Sequence, residues 1–195
     1  MNLETEKDII QLISNDSFMM EILTAASTLR LPDWSICAGF VRSKIWDELH
    51  GYGRTSMPDI DVVYFDKNNI NEGEEKRLEK LLAALLPDVP WSVKNEARMH
   101  VRNDINPYLN TEDAISKFPE TCTALGVYLD KNEELHLIAP HGIQDVLAMI
   151  VRPTPLFNNS SVLMKVYEQR IRNKKWHLIW DMVTYAVKTD EGKYN

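Results

Sequence analysis

The stretch AGFVRSKIWDELHGYGRTSMPDIDVVYFD, residues 38–66, limits the fold more than any other part of the sequence. It reads as the end of a short buried strand, a glycine turn, an amphipathic helix, a polar loop and an apolar strand that begins Asp-Ile-Asp. Carboxylates are disfavoured in strands, and two on one face repel each other unless a cation lies between them. The stretch therefore predicts a strand-helix-strand unit in which Asp59 and Asp61 need a cationic partner.

The remaining segments extend this unit into a sheet with helices around it. Apolar residues at helical spacing predict two helices within residues 3–30 and a basic C-terminal helix from residue 160 onward. Alternating apolar and polar residues predict a strand with one polar face over residues 91–101, and residues 121–139 read as a hairpin. We predict an α/β (α+β) fold, a mixed sheet flanked by helices with N- and C-terminal helical segments.

The proline-containing loop at residues 152–159 is the best candidate for a boundary within the chain. It separates the mixed α/β part from the helical C-terminal part. We predict a domain over residues 1–152, including the N-terminal helices, and a C-terminal helical extension over residues 153–195.

The charge balance and the apolar runs exclude several classes of function. The 195 residues include 22 Lys and Arg against 29 Asp and Glu, a net charge of −7, so non-specific binding to nucleic acid or to an anionic membrane is not expected. The N-terminus is acidic, and the apolar runs are far shorter than a bilayer-spanning helix. Cys37 and Cys122 lie in apolar stretches without metal-binding spacing. We predict a cytoplasmic protein.

The glycine turn and the aspartate pair carry a resemblance to a known superfamily. Ala38-Gly39-Phe40-Val41-Arg42-Ser43, the later Gly51 and Asp59-Ile60-Asp61 resemble the motif of the DNA polymerase β superfamily, in the form found in the head domain of bacterial poly(A) polymerases and CCA-adding enzymes. Over nearly the whole chain, AGFVRSKIWDELHG, DIDVVYFD, WSVKNEARMH and RNKKWHLIW look like a family of small bacterial proteins called nucleotidyltransferase-like. The resemblance implies the nucleotidyltransferase fold.

Within that fold, the motif residues suit a metal-bound nucleoside triphosphate. Asp59 and Asp61, two apart on a strand, share a face and can hold Mg²⁺, which prefers oxygen ligands and also contacts phosphates. Gly39 would let the backbone approach the triphosphate, and the N–H groups at the start of the Phe40 helix would face it. Arg42, in the first helical turn, could reach a phosphate oxygen.

The superfamily carries a third carboxylate on a later strand, and residues 91–101 are in the right place for it. Glu96 would complete the set if it faces the aspartates, whereas Asn95, an amide, cannot act as a base. Strand alternation places Glu96 and Arg98 on one face and Asn95 on the other. We predict that Glu96 is the third catalytic carboxylate and that Arg98 helps to hold phosphate or acceptor.

Together these features predict Mg²⁺-dependent transfer of an NMP group from an NTP to an acceptor hydroxyl. The acceptor, whether a small molecule, a protein or an RNA, is not specified by the sequence. The alternative is a catalytically inactive nucleotide-binding or partner-binding module on the same fold.

Overall fold

The computed structural model describes residues 3–187 and contains a five-stranded mixed sheet with helices packed against it. Across the sheet the strands are β3 (Trp91–Asn95), β2 (Ile60–Tyr64), β1 (Ser35–Cys37), β4 (Gly126–Leu129) and β5 (Leu135–Ile138). The β2–β3 pair is parallel, and the other neighbours are antiparallel. The predicted fold class, a mixed sheet flanked by helices, is confirmed.

The two N-terminal helices, the helix after β1 and the start of the C-terminal helix agree with the prediction. The helices are α1 (Glu6–Ser14), α2 (Ser17–Ser27), α3 (Gly39–His50), α4 (Glu72–Leu85), α5 (Glu96–Met99), α6 (Thr111–Ile115), α7 (Gln144–Leu147), α8 (Pro155–Asn158) and α9 (Ser161–Lys174). Short 3-10 turns cover His100–Asn103 and Trp176–Leu178, and the short strands β6 (Ile150–Val151) and β7 (Thr184–Tyr185) pair in parallel. None of the helices within residues 3–187 has the length and apolar composition to cross a bilayer.

The two faces of the sheet differ in polarity, and this difference positions the site. Ile36, Val62 and Val93 are fully buried in the main core, together with the apolar residues of α1 to α4. Cys37 is paired with Asp61 in the sheet register, so both side chains lie on the opposite face. The aspartate of β2 is therefore directed away from the main core.

The strand predicted over residues 91–101 ends early, at Asn95. The Asn95 side chain accepts a hydrogen bond from the Ala97 N–H at 3.1 Å and donates to the Asp66 carbonyl at 2.8 Å, so it caps the next helix and anchors a neighbouring loop. Glu96 is the first residue of α5 instead of a mid-strand residue. The Asn95 side chain is thus used in hydrogen bonds to backbone groups. Glu96 belongs to the helix α5, so its direction is not set by the alternation of β3.

The C-terminal helix predicted from residue 160 onward is also shorter than expected. It ends at Lys174, because Lys175 adopts a left-handed conformation with φ 46° and breaks the helical hydrogen-bond pattern. Beyond it, the described chain continues as a 3-10 turn and a short strand. The helical assignment for residues 175–187 is therefore corrected.

Two indole side chains that follow Lys175 tie the C-terminal segment to the main core. Trp176 and Trp180 are both buried, and the Trp180 Nε1 donates to the Asp47 carboxylate at 2.8 Å. The described part of residues 153–195 thus packs against residues 1–152 in one continuous core. The division at residue 152 stays a prediction.

Candidate functional site

A cavity of about 470 Å³ opens on the polar face of the sheet. β1 and β2 supply its floor with Cys37 and Asp61, and α5 supplies Glu96. The C-terminal helix α9 forms one wall with Val166 and Arg170. Glu96 and Asp61 thus line the same cavity, with Glu96 at the start of a helix instead of within the predicted strand.

The environment of the two carboxylates in this cavity, Asp61 and Glu96, disfavours their ionised forms. Burial raises the pKa of Asp61, and the nearby Asp59 raises it further, whereas a hydrogen bond with Ser92 opposes the change. Burial, and then the charge of Asp61, raise the pKa of Glu96 to about 7. Each carboxylate therefore disfavours ionisation of its neighbour, and a cation between them would relieve the repulsion.

Asp59 lies at the edge of this arrangement. It is exposed and immediately precedes β2, one residue outside the strand that was predicted to begin there. Its charge reaches Asp61, but its side chain does not line the cavity. The predicted aspartate pair is thus split between an exposed and a more buried position.

The oxygen donors suit a divalent cation such as Mg²⁺, which would be held by Asp59 and Asp61. The carboxylates of the partly buried Asp61 and the buried Glu96 repel each other and fit a group that brings positive charge. Within residues 3–187, however, the group of three or more His, Cys, Asp or Glu side chains whose ligand atoms all lie within 4.8 Å of one another is a different one, Asp130, Glu134 and His136 on the β4–β5 hairpin.

Several cations surround the carboxylates, and sequence reasoning did not select them. Lys94, Arg102, Lys117 and Arg170 line the cavity, and Lys174 lies close enough for its charge to lower the pKa of Asp61. The spacing of the last two, four residues apart on one helix, places them on the same face. This spacing is visible in the sequence. It did not identify a binding site, because basic residues on one face of a helix are also typical of a solvent-exposed surface.

Arg42 was predicted to reach a phosphate, and the structure instead places it in an aromatic enclosure. Its guanidinium carbon lies over three indole rings, at 5.1 Å from the centroid of Trp46, 4.6 Å from that of Trp176 and 5.5 Å from that of Trp180. Its Nη2 donates to the Ser43 hydroxyl at 3.0 Å, and burial lowers the pKa of Arg42 to about 10. Arg42 does not line the cavity and joins α3 to the C-terminal segment.

Replacing Arg42 by alanine is expected to lower the free energy of unfolding by about 2–3 kcal/mol, because desolvated cation–π contacts and side-chain packing are lost. Denaturant unfolding followed by tryptophan fluorescence measures this effect, since the enclosing indoles report on it. The matched control is Arg54→Ala, because Arg54 also lies over a ring, at 3.9 Å from the Phe18 centroid, but is largely exposed. A variant with unchanged stability and reduced nucleotide affinity would place Arg42 at the phosphates after all.

Arg98 is likewise engaged away from the cavity. Its Nε and Nη2 donate to the two carboxylate oxygens of Glu75, each at 2.7 Å, and Glu75 is fully buried. This bidentate pair joins α5 to α4. The prediction that Arg98 helps to hold phosphate or acceptor is therefore corrected to a structural role.

The turn between β1 and α3 has the backbone strain that often accompanies a binding site. Ala38 has φ 56° and ψ −115°, a region that costs a non-glycine residue about 1–3 kcal/mol. Ala38 lines the cavity, and no side chain caps the start of α3. The Phe40 side chain is buried in the main core and does not obstruct the cavity. Nucleotide contacts from the backbone of Gly39 and Phe40 stay a prediction.

Comparison with known proteins agrees with this geometry. A family model described as nucleotidyltransferase matches residues 24–185. A solved structure described as revealing a CCA-adding enzyme head domain is 33% identical, covers 94% of this chain and 97% of its own, and has a TM-score of 0.85. No curated protein matches the chain by sequence.

Two solved enzymes share the fold at lower identity. A CCA-adding enzyme in complex with CTP is 14% identical, with a TM-score of 0.57, and the match covers 98% of this chain but 46% of that enzyme. The Thermotoga maritima CCA-adding enzyme in complex with tRNA is 16% identical, with a TM-score of 0.55, and the match covers 98% of this chain and 45% of that enzyme. The chain therefore spans just under half the length of these enzymes.

The family match covers most of the chain, and the 33% identical structure extends over almost the full length of both chains. The chain belongs to the nucleotidyltransferase family.

Proposed function

We propose that the protein transfers the NMP group of an NTP to an acceptor hydroxyl in a reaction that depends on Mg²⁺. The observation that carries this proposal is the meeting of Asp61 and Glu96 in one cavity ringed by cations, on the fold of a nucleotidyltransferase. A triphosphate bears several negative charges, and the cationic rim supplies the complementary field.

Each carboxylate has a distinct role in the proposal. Asp59 and Asp61 hold the divalent cation, which supplies charge neutralisation at the transferring phosphoryl group. Glu96, with its raised pKa, is poised to accept the proton of the acceptor hydroxyl near neutral pH. Among solved relatives, one enzyme binds CTP and another a tRNA, which places RNA beside small molecules and proteins as an acceptor class to test.

A catalytically inactive nucleotide-binding or partner-binding module is the second candidate. The exposed position of Asp59, outside the cavity lining, favours it, because a metal pair for catalysis needs both aspartates. The nucleotide-binding form of this module binds the same ligand as the transferase but has no turnover, whereas the partner-binding form need not bind a nucleotide.

We expect at least one of ATP, CTP, GTP and UTP to raise the midpoint of thermal unfolding with Mg²⁺ and to raise it much less with EDTA, since a ligand that binds only the folded state stabilises it. The corresponding nucleosides are the control for base contacts alone. No shift with any of the four NTPs in Mg²⁺ would contradict both the transferase and the nucleotide-binding module, and would favour the partner-binding module. A shift without label transfer from α-³²P-labelled NTPs to the RNA, protein and small-molecule fractions of a cell extract would favour the inactive module.

A further inference from the structure

One edge of α9 carries two positive charges beside the cavity. Arg170 lines the cavity, and Lys174, four residues later, lines an adjoining surface groove together with Arg170. Residues at this spacing share a helix face. Both charges lower the pKa of Asp61, so this edge lies close to the carboxylates.

Arg170 is held by a buried anion. Glu120 is fully buried, and its Oε1 accepts a hydrogen bond from the Arg170 Nε at 2.7 Å. Its Oε2 accepts from the Thr123 hydroxyl at 2.7 Å, which fixes the carboxylate itself. The Arg170 guanidinium also packs on Trp176, at 5.9 Å from the ring centroid. The Nε is thus engaged, and the terminal nitrogens make no hydrogen bond to any residue within 3–187.

Of the other three cations that line the cavity, Arg102 has no ion pair within residues 3–187, and the remaining two are paired with carboxylates outside the cavity. Lys94 pairs with Glu75 and Glu79, and Lys117 pairs with Asp113. Lys174, by contrast, is exposed and forms no ion pair within the part of the chain that is described. The edge of α9 therefore carries donors that are available to a ligand on the Asp61 side of the cavity.

We propose that Arg170 and Lys174 bind the triphosphate of the nucleotide and that Glu120 is a positioning residue that holds Arg170 toward the cavity. The inference rests on the proposed nucleotidyl transfer. It assigns the triphosphate subsite to the C-terminal helix instead of to Arg42 and Arg98, whose guanidinium groups are engaged elsewhere. A bidentate contact from the free terminal nitrogens suits two phosphate oxygens.

Inorganic tripolyphosphate tests this subsite without a base or a transferable group. In calorimetric titrations at constant ionic strength with Mg²⁺, Arg170→Ala and Lys174→Ala are each expected to weaken tripolyphosphate binding about tenfold or more. The matched control is Arg172→Ala, which removes the same charge from the same helix at an exposed position hydrogen-bonded to Gln169. It is expected to change affinity by less than about threefold.

The role of Glu120 is tested by a double-mutant cycle with Arg170. Glu120→Gln is expected to weaken tripolyphosphate binding several-fold in the wild-type background and to have no effect in the Arg170→Ala background, because it acts through Arg170. An equal effect in both backgrounds would make Glu120 merely structural and overturn its assignment. If Arg170→Ala fails to fold with Glu120 unpaired, the double variant removes both charges, and Lys174→Ala tests the subsite by itself.

The outcomes separate this inference from the proposed function. Wild-type protein that does not bind tripolyphosphate, or variants of Arg170 and Lys174 that bind it normally, would overturn the inference even if NTP-dependent transfer occurs. Binding that depends on both residues, in a protein that transfers no NMP group to any acceptor, would support the inference and contradict catalysis.

Discussion

Asp61→Asn is expected to lower the rate of nucleotidyl transfer by at least about 1,000-fold, because the bound metal ion supplies several kcal/mol of charge stabilisation in the transition state. The same substitution should leave the fold intact or more stable. Burial and the charge of Asp59 already raise the pKa of Asp61, so a neutral amide relieves repulsion. The hydrogen bond with Ser92 can be kept by the amide.

Metal-dependent binding gives a measurement that needs no acceptor. Wild-type protein should show NTP binding that requires Mg²⁺, and Asp61→Asn should lose that requirement together with most of the affinity. Asp66→Asn is the matched control, because Asp66 lies just beyond the other end of β2 and accepts a hydrogen bond from the Asn68 N–H at 2.8 Å. Equal Mg²⁺-dependent binding by wild type and Asp61→Asn would contradict the assignment of Asp61 as a metal ligand.

Glu96→Gln is expected to leave NTP binding nearly unchanged while lowering turnover by about 10²–10⁴-fold, the usual contribution of a general base. A base acts on the acceptor hydroxyl and contributes little to ground-state nucleotide binding. Wild-type turnover should rise as the pH passes through the pKa of Glu96, about 7, because the base must be ionised. Glu72→Gln, at an exposed glutamate at the start of α4, is the control.

A second readout for Glu96 does not depend on any substrate. Its pKa in the folded protein, about 7, lies above the ordinary value of 4.5, so folding favours the protonated form. This contribution is fully present below about pH 4.5 and is lost as the pH rises to about 7, a decrease on the order of 2–3 kcal/mol. Denaturant unfolding in EDTA should show this decrease in wild type and a smaller one in Glu96→Gln. An identical pH dependence in both proteins would show that Glu96 is not the buried carboxylate described.

The glycine turn and the aspartate pair made much of the fold predictable. Strand alternation around Asp61 correctly placed it on the polar face, and the same reasoning selected Glu96 over Asn95. Glu96 lines the cavity although the strand ends at Asn95, and its role as the third catalytic carboxylate stays a prediction. Strand alternation predicted Glu96 at the cavity as a strand residue, and the structure places it there as the first residue of α5.

The positions of the arginines could not be predicted, because they depend on contacts between distant segments. Arg42 follows the motif glycine, but its surroundings come from Trp176 and Trp180, more than a hundred residues later. Arg98 lies on the predicted polar face, but its guanidinium donates hydrogen bonds to the buried Glu75 carboxylate on α4. The partner of a long arginine side chain depends on which residues tertiary packing brings near it. The periodicity of apolar residues in the sequence carries no information about that partner.

The most direct test of the account is to locate a bound nucleotide and its metal ion. A crystal structure with Mg²⁺ and the α,β-methylene analogue of the NTP that gives the largest thermal shift would provide this measurement. We expect a metal ion bound by Asp59 and Asp61, with the triphosphate in the cavity between the metal ion and Arg170. A nucleotide bound elsewhere on the protein, or bound in the cavity with no metal contact to Asp61, would contradict it.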